Sequence, residues 1–349
     1  MNRNISYSSI IHHLSSLKKA MPYISTQHNE KPMRLFHGTE SANVLRPTVL
    51  TMGVFDGLHL AHQKIIQTVV TRAKALNATP TVITFDPHPR AVLFPESAPP
   101  LLQTLDQRIN AFSVLGIEQT IVIPFSKELA QQPAEDFLQD LIHERLQAKE
   151  VYLGQGFFFG KDRAGNIDLL KKVSSELGFF ADEISEIKLH GQRISSSRIR
   201  KLLIDGHVNL ARRMLGRPYG IEGRIVRGDR RGHTIGFPTA NLHPQNRVMP
   251  KNGVYVTATL IDDKWRRSIT NVGVRPTFGK DLDPSVETYV LNWDGDLYGN
   301  VLRVRFLHRV RDEKKFNSID ELITQIKRDV QRAEIYFERK CVKNSLAIV

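Results

Sequence analysis

The feature that most constrains the fold is a change of period at a short break, Gly216-Arg217-Pro218-Tyr219-Gly220. Before it, between residues 47 and 191, β-rich runs alternate with helical patterns. Strands are predicted at 48–53, 81–85, 119–124 and 151–154. Helices are predicted at 61–76, 105–115 and 134–146, each with apolar residues three and four apart. Such alternation builds a parallel sheet covered by helices. Residues 195–215 read as two short helices broken at Gly206. After the break, strand-like runs at 221–227, 253–261, 265–271, 286–293 and 301–307 follow closely, and no helical period returns until 318–337. Short strands at that spacing predict a small antiparallel barrel. Ser318, with Glu321 three positions on, marks the start of the closing helix.

The 349 residues suit two domains, and a formal net charge of +13 suits anionic partners without choosing among nucleotides, nucleic acid or a membrane surface. The one cysteine, Cys341, excludes an internal disulfide framework and a cysteine zinc cluster. A reducing, cytoplasmic setting fits it best. No run of about 18 apolar residues occurs, so no spanning helix is expected. Residues 1–32 hold four cationic residues and one acidic residue, an acid-poor pattern shared with transit peptides. A disordered arm, or a start at Met33, is the expectation.

In parallel sheets, ligands bind beyond the carboxyl ends of the strands, which directs attention to 55–62, 86–90 and 155–165. In the first, Thr51-Met52-Gly53-Val54-Phe55-Asp56-Gly57-Leu58-His59-Leu60-Ala61-His62, a strand meets a tight turn and a helix start. Two histidines three apart share a helical face. Free N–H groups there attract phosphate, a setting for nucleotidyl transfer. Zinc binding without a nearby third ligand, and two ordinary surface histidines, remain open readings.

Thr84-Phe85-Asp86-Pro87-His88-Pro89-Arg90 ends the next strand, on the same sheet edge. Gly154-Gln155-Gly156-Phe157-Phe158-Phe159-Gly160 places three phenylalanines in a glycine-bounded loop, for a flat ligand or for local core. Arg193-Ile194-Ser195-Ser196-Ser197-Arg198-Ile199-Arg200 offers hydroxyls and arginines at a helix start, for phosphate or for a solvated cap.

Together, from Met33 to Phe337, these residues resemble the bacterial bifunctional riboflavin kinase/FMN adenylyltransferases. The first half is similar to the α/β nucleotidyltransferase-type, Rossmann-like domain, with His59-Leu60-Ala61-His62 as its histidine motif and Ala61 where the family usually has glycine. Ser195-Ser196-Ser197 stands for its Ser-Ser-Thr motif. The second half resembles the antiparallel riboflavin kinase barrel more specifically. It carries the glycine loop Gly228, Gly232 and Gly236, then Pro238-Thr239-Ala240-Asn241, Asn271-Val272-Gly273-Val274-Arg275-Pro276-Thr277 and Leu297-Tyr298-Gly299.

The resemblance implies two reactions: phosphorylation of riboflavin by ATP to FMN, then adenylylation of FMN by a second ATP to FAD and pyrophosphate. It implies Glu287 as kinase base, Thr239 and Asn241 as Mg²⁺ ligands, and Gly228, Gly232 and Gly236 as phosphate contacts. In the other half it implies His59, His62 and Arg193 as catalytic groups. Gly53, Phe55, Asp56, Gly57, Ser196, Ser197 and Arg198 would contact ATP, and Asp86, Phe157 and, from the barrel, Arg275 the flavin. Taken from the residues alone, Glu287 reads as a solvated strand residue, and Thr239 and Asn241 as a turn. The implied division is an extension at 1–32, adenylyltransferase at 33–211, kinase at 212–340 and a tail at 341–349. Gly156 stands where the family usually has Asp or Asn, which gives a second reading: an efficient kinase step with a weakened adenylyl step. Other readings are a histidine-motif enzyme acting on RNA and a basic nucleic-acid-binding module. Small-molecule partners only, with neither nucleic acid nor membrane, are expected.

Overall fold

The structure, a computed structural model, describes residues 32–38, 44–226, 236–275, 283–295, 297 and 299–343. Its first half is a six-stranded parallel sheet in the order β1-β4-β3-β2-β5-β6. The strands are β1 (Arg34–His37), β2 (Thr48–Met52), β3 (Thr79–Phe85), β4 (Gln119–Ile123), β5 (Ala148–Gly154) and β6 (Phe180–Ile184). All five residues of β2 are buried, as a central strand covered on both faces requires.

The helices are α1 (Leu60–Ala75), α2 (Pro89–Leu93), α3 (Leu105–Val114), α4 (Ala134–Phe137), α5 (Ile167–Leu177), α6 (Ser196–Ile204) and α7 (Val208–Leu215). α4 runs on as a π-helical stretch over Leu138–Arg145, so the single helix predicted at 134–146 changes pitch part-way. Sequence reading missed β1, β6 and α5. The two strands lie at the sheet edges and are partly exposed, so neither shows a buried apolar run. α5 has a clear frame in retrospect: the Asn166 side chain accepts from Leu169 N at 2.9 Å, and Gly178 ends the helix at φ 79°.

The second half is a closed barrel, β10-β13-β12-β11-β14-β9. It comprises β9 (Tyr219–Val226), β10 (Ala240–Pro244), β11 (Gly253–Ile261), β12 (Lys264–Arg275), β13 (Asp283–Val290) and β14 (Val301–Arg311), after a small hairpin of β7 (Lys188–Leu189) and β8 (Gln192–Arg193). Antiparallel barrel and parallel sheet both agree with the expectation, though β12 and β14 run longer than predicted and β10 was not foreseen. β11 and β12 join through Asp262-Asp263, both at positive φ (48° and 55°), the backbone of a two-residue hairpin. Inside the barrel, buried hydroxyls meet: Thr257 with Ser268 (2.7 Å) and Thr270 (2.8 Å), Thr259 with Ser268 (2.8 Å), and Thr270 with Thr288 (3.0 Å). Outside it lies α8 (Ile319–Lys343), whose Ala333 and Phe337 pack on Val254, Val256, Ala258 and Ile269. Arg311 pins this helix through buried Asp329 at 2.8 Å. Ser318 caps it as predicted, accepting from Glu321 N at 3.2 Å.

The two halves share one apolar cluster. Leu102, Ile194, Ile199 and Leu203 join Val208, Ala211 and Met214 of α7 and Tyr219, Leu242 and Phe306 of the barrel. The boundary expected between 211 and 212 therefore falls inside α7. Residues 1–31, 227–235, including Gly228 and Gly232, and 344–349 lie outside the described residues, as do the side chains of Arg275 and Cys341.

Candidate active sites

Strand order reverses beside β2: β3 and β4 lie on one side of it, β5 and β6 on the other. At such a switch point the loops after β2 and β5 part and leave a crevice. The loop after β2 is 53–59, and the loop after β5 carries Gly156 and Phe157.

The turn after β2 has unusual backbone. Phe55 (φ 55°), Gly57 (φ 83°) and Leu58 (φ 37°) are all left-handed, the two non-glycines at a cost of about 1–3 kcal/mol each. At Gly57 any Cβ would also come within 2.6 Å of Leu102 Cδ1. Gly53 leaves room for the Phe55 ring, which would stand 3.3 Å from a Cβ there.

His59 is the N-cap of α1, and its Nδ1 accepts from His62 N at 3.4 Å. An accepting Nδ1 leaves the proton on Nε2, which is then a donor. The two imidazoles stack at 3.6 Å, and Phe55 meets His62 edge-on at 5.2 Å. Burial, then the charge of Arg217, lowers the His59 pKa to about 4, and burial lowers that of His62 well below its usual value. Both rings are neutral at pH 7. His62 Nδ1 is buried with no partner among the described residues. No metal-binding group of three or more His, Cys, Asp or Glu occurs among the described residues.

α6 brings the serines to this turn. Ser195 caps it, accepting from Arg198 N at 3.4 Å, and Ser196 Oγ donates to the Asp56 carbonyl at 2.8 Å. Ser197 is exposed on the first turn. Arg198 bonds Gln192, and Arg193 holds Gln155 O at 3.0 Å and Glu186 at 3.4 Å, beside the Phe157 loop.

Asp56 turns its side chain into the fold. Its carboxylate is buried and accepts from Leu102 N (2.9 Å), Gln103 N (3.1 Å) and Arg200 Nη2 (2.8 Å). An anion so engaged braces the turn. Asp86 keeps 41% of its side chain exposed and pairs with Arg108 at 3.3 Å. Arg108 is wholly buried and also donates to Val54 O at 2.8 Å.

The three phenylalanines divide. Phe159 is core, Phe157 packs half-buried against that core, and Phe158 is exposed under the Arg163 guanidinium at 4.7 Å. Gly156 has φ 75°, donates to Glu183 at 3.1 Å, and has nothing within 4 Å of the place a Cβ would occupy.

In the barrel, Glu287 on β13 stands opposite Asn241 on β10 and Asn271 on β12. Directly paired residues share a face. Ser285 Oγ donates to Glu287 at 3.3 Å. Thr239, half-buried, precedes β10, and Gly236 turns at φ 83°. Phe237 meets Tyr289, two residues beyond Glu287, edge-on at 5.5 Å.

Residues 41–198 match the family model of FAD synthetase, and residues 215–337 that of riboflavin kinase. The bifunctional riboflavin kinase/FMN adenylyltransferase of Haemophilus influenzae is 36% identical, over 87% of this chain and 99% of that one. The chain belongs to the bifunctional riboflavin kinase/FMN adenylyltransferase family. The Bacillus subtilis member is 34% identical, over 87% of this chain and 98% of its own. A crystal structure described as a macrolide-efflux protein from Streptococcus pneumoniae superposes with TM-score 0.78 at 28% identity, over 86% of this chain and 98% of that one. As a member of this family the chain is a transferase of flavin biosynthesis with both activities, one in each half. No helix among the described residues is long and apolar enough to cross a membrane.

Sequence reading missed Arg108, Arg217 and Gln63 around the first site. Arg108 left a signal: it stands with Phe112 on the buried face of α3, where an apolar residue would normally lie. Arg217 stood in plain view as a cation within a Gly/Pro break.

Proposed function

We propose that the crevice beside β2 adenylylates FMN and that the outer face of the barrel at Glu287 phosphorylates riboflavin. The observation that carries the first assignment is the turn at 54–59, whose carbonyls are held from behind while His59 and His62 stand as neutral rings at the start of α1. The triphosphate of ATP lies on that turn. His59 Nε2–H, Ser197 and the first N–H groups of α1 and α6 bind its oxygens and stabilise charge as pyrophosphate leaves. Arg193 and Arg198 add cationic donors at the rim, and Asp86 and Phe157 face the flavin. The FMN phosphate is already ionised and attacks the α-phosphorus directly, so no protein nucleophile is required.

In the barrel, Glu287 accepts the proton of the ribityl 5′-hydroxyl as it attacks the γ-phosphate. Thr239 and Asn241 offer a hydroxyl and an amide oxygen, hard donors suited to Mg²⁺ shared with phosphate. Bound there, Mg²⁺ would neutralise phosphate charge. Gly236, with Gly228 and Gly232, lets backbone approach the phosphates, and Arg275 contacts the flavin. The partners are riboflavin, FMN, FAD and ATP, in the cytoplasm. The domains divide as 33–211 and 212–340, with α7 bridging them.

Purified protein given riboflavin, ATP and Mg²⁺ tests the whole reading. FMN must appear first and FAD after it; FMN without FAD would favour a kinase with an idle first half.

A further inference from the structure

Every carbonyl from Val54 to Leu58 has a donor behind it. Arg108 holds Val54 O (2.8 Å), Leu58 N holds Phe55 O (3.2 Å) and Ser196 holds Asp56 O (2.8 Å). Arg217 Nη2 holds Gly57 O (3.0 Å) and its Nη1 holds Leu58 O (3.1 Å), with Gln63 Nε2 also on Leu58 O (2.6 Å). In a planar peptide the N–H points opposite to the C=O. Fixing these carbonyls therefore fixes the N–H groups of Phe55, Asp56, Gly57 and His59, which have no acceptor among the described residues.

Arg217, which lies beyond α7 where the kinase half begins, donates to two of these carbonyls, alone among the described residues at Gly57 and together with Gln63 at Leu58. We propose that Arg217 is a positioning residue for adenylylation: it holds the strained Gly57–His59 backbone in the form that presents His59 and its N–H to the ATP phosphates. This inference rests on the triphosphate lying at that turn. The guanidinium suits the task because two of its donors fork across consecutive carbonyls, which a single ammonium cannot match. The backbone at Phe55 and Leu58 is strained, and such strain persists only when surrounding bonds over-determine it. The arginine also acts on the imidazole electrostatically. His59 is faced by stacked His62 on its own helix, by Arg217 and by Arg193 of β8, and after burial Arg217 is the largest influence keeping it neutral. Arg217 itself, lowered to about 10 by burial and by Arg305, stays cationic at pH 7.

The test compares Arg217→Met and Arg217→Lys with the parent, as full-length chains. Riboflavin phosphorylation and FMN adenylylation are measured on the same preparations, and the His59 imidazole is titrated by NMR. Removing hydrogen bonds from a charged group predicts a loss in adenylylation of about 10–150-fold for Arg217→Met. Kinase activity should stay within about twofold of the parent. The His59 pKa should rise in Arg217→Met and stay nearer the parent value in Arg217→Lys, which retains the charge. FAD formation by Arg217→Met at the parent rate, equal loss of both activities, or an unmoved His59 titration would each overturn the proposal. If His59→Ala with His62→Ala also leaves FAD formation intact, the site placement itself is wrong; if only Arg217→Met does, the placement stands and the role of Arg217 falls.

Discussion

Glu287 and Asn241 stand directly opposite each other on β13 and β10, although 46 positions separate them in the sequence. The strand pairing, not local sequence, brings a carboxylate next to an amide oxygen. Glu287→Gln keeps the size and the strand position and removes basicity. FMN formation should fall roughly 10²–10⁴-fold. FMN supplied directly should still become FAD at the parent rate, and chromatography of the flavins after each incubation checks both halves of the statement.

The reverse selectivity is expected from His59→Ala combined with His62→Ala. Each lost charge-stabilising donor costs on the order of 10²–10³-fold. Riboflavin should be converted to FMN and stop there, which a fluorescence time course reads.

Protonation of His59 gives a stability signature. Its pKa is 6.5 by its ordinary value and about 4 in the fold, so between these limits the unfolded chain binds more protons than the native one. The His59 contribution to stability is fully present above about pH 6.5 and is lost as pH falls toward 4. His59→Asn keeps an N-cap acceptor and removes the titration. Urea midpoints at pH 7.5 and pH 5 should therefore differ less in His59→Asn than in the parent.

Gly156 can be tested cleanly. Its φ of 75° is a conformation that asparagine tolerates better than most residues, and the space around it is open. If the missing side-chain oxygen weakens the adenylyl step, the parent accumulates FMN before FAD. Gly156→Asn should then speed FAD formation by about 10-fold or more, the scale of one hydrogen bond to a charged group, while riboflavin phosphorylation is unchanged. Equal progress curves for the two proteins would show the glycine to be compensated.

What was legible in the sequence was what is local. The tight turn, the paired histidines and the serine cap each lie within a few residues, and the shift from helical to strand period announced two kinds of domain. The supports of the turn are long-range. Arg108 reaches Val54 across 54 residues, Arg200 reaches Asp56 across 144, and Arg217 reaches Gly57 across 160. Asp56-Gly57 reads as a tight turn, and only Arg200 and the Leu102 and Gln103 N–H groups show its carboxylate to be an internal brace. The phenylalanine loop was ambiguous for a related reason: three identical side chains take three environments, set by α4 and by Arg163.

Leu102 has no backbone group to spare. Its N–H is bound to Asp56 of the nucleotide turn, and its carbonyl accepts from Tyr219 (3.1 Å) and Asn246 (3.0 Å) of the barrel, with its side chain fully enclosed between them. A substitution there has no single address. Damage at Leu102 is delivered to both reactions at once, so a map of mutational tolerance drawn for FMN output and one drawn for FAD output should coincide at this seam while diverging at Glu287 and His59.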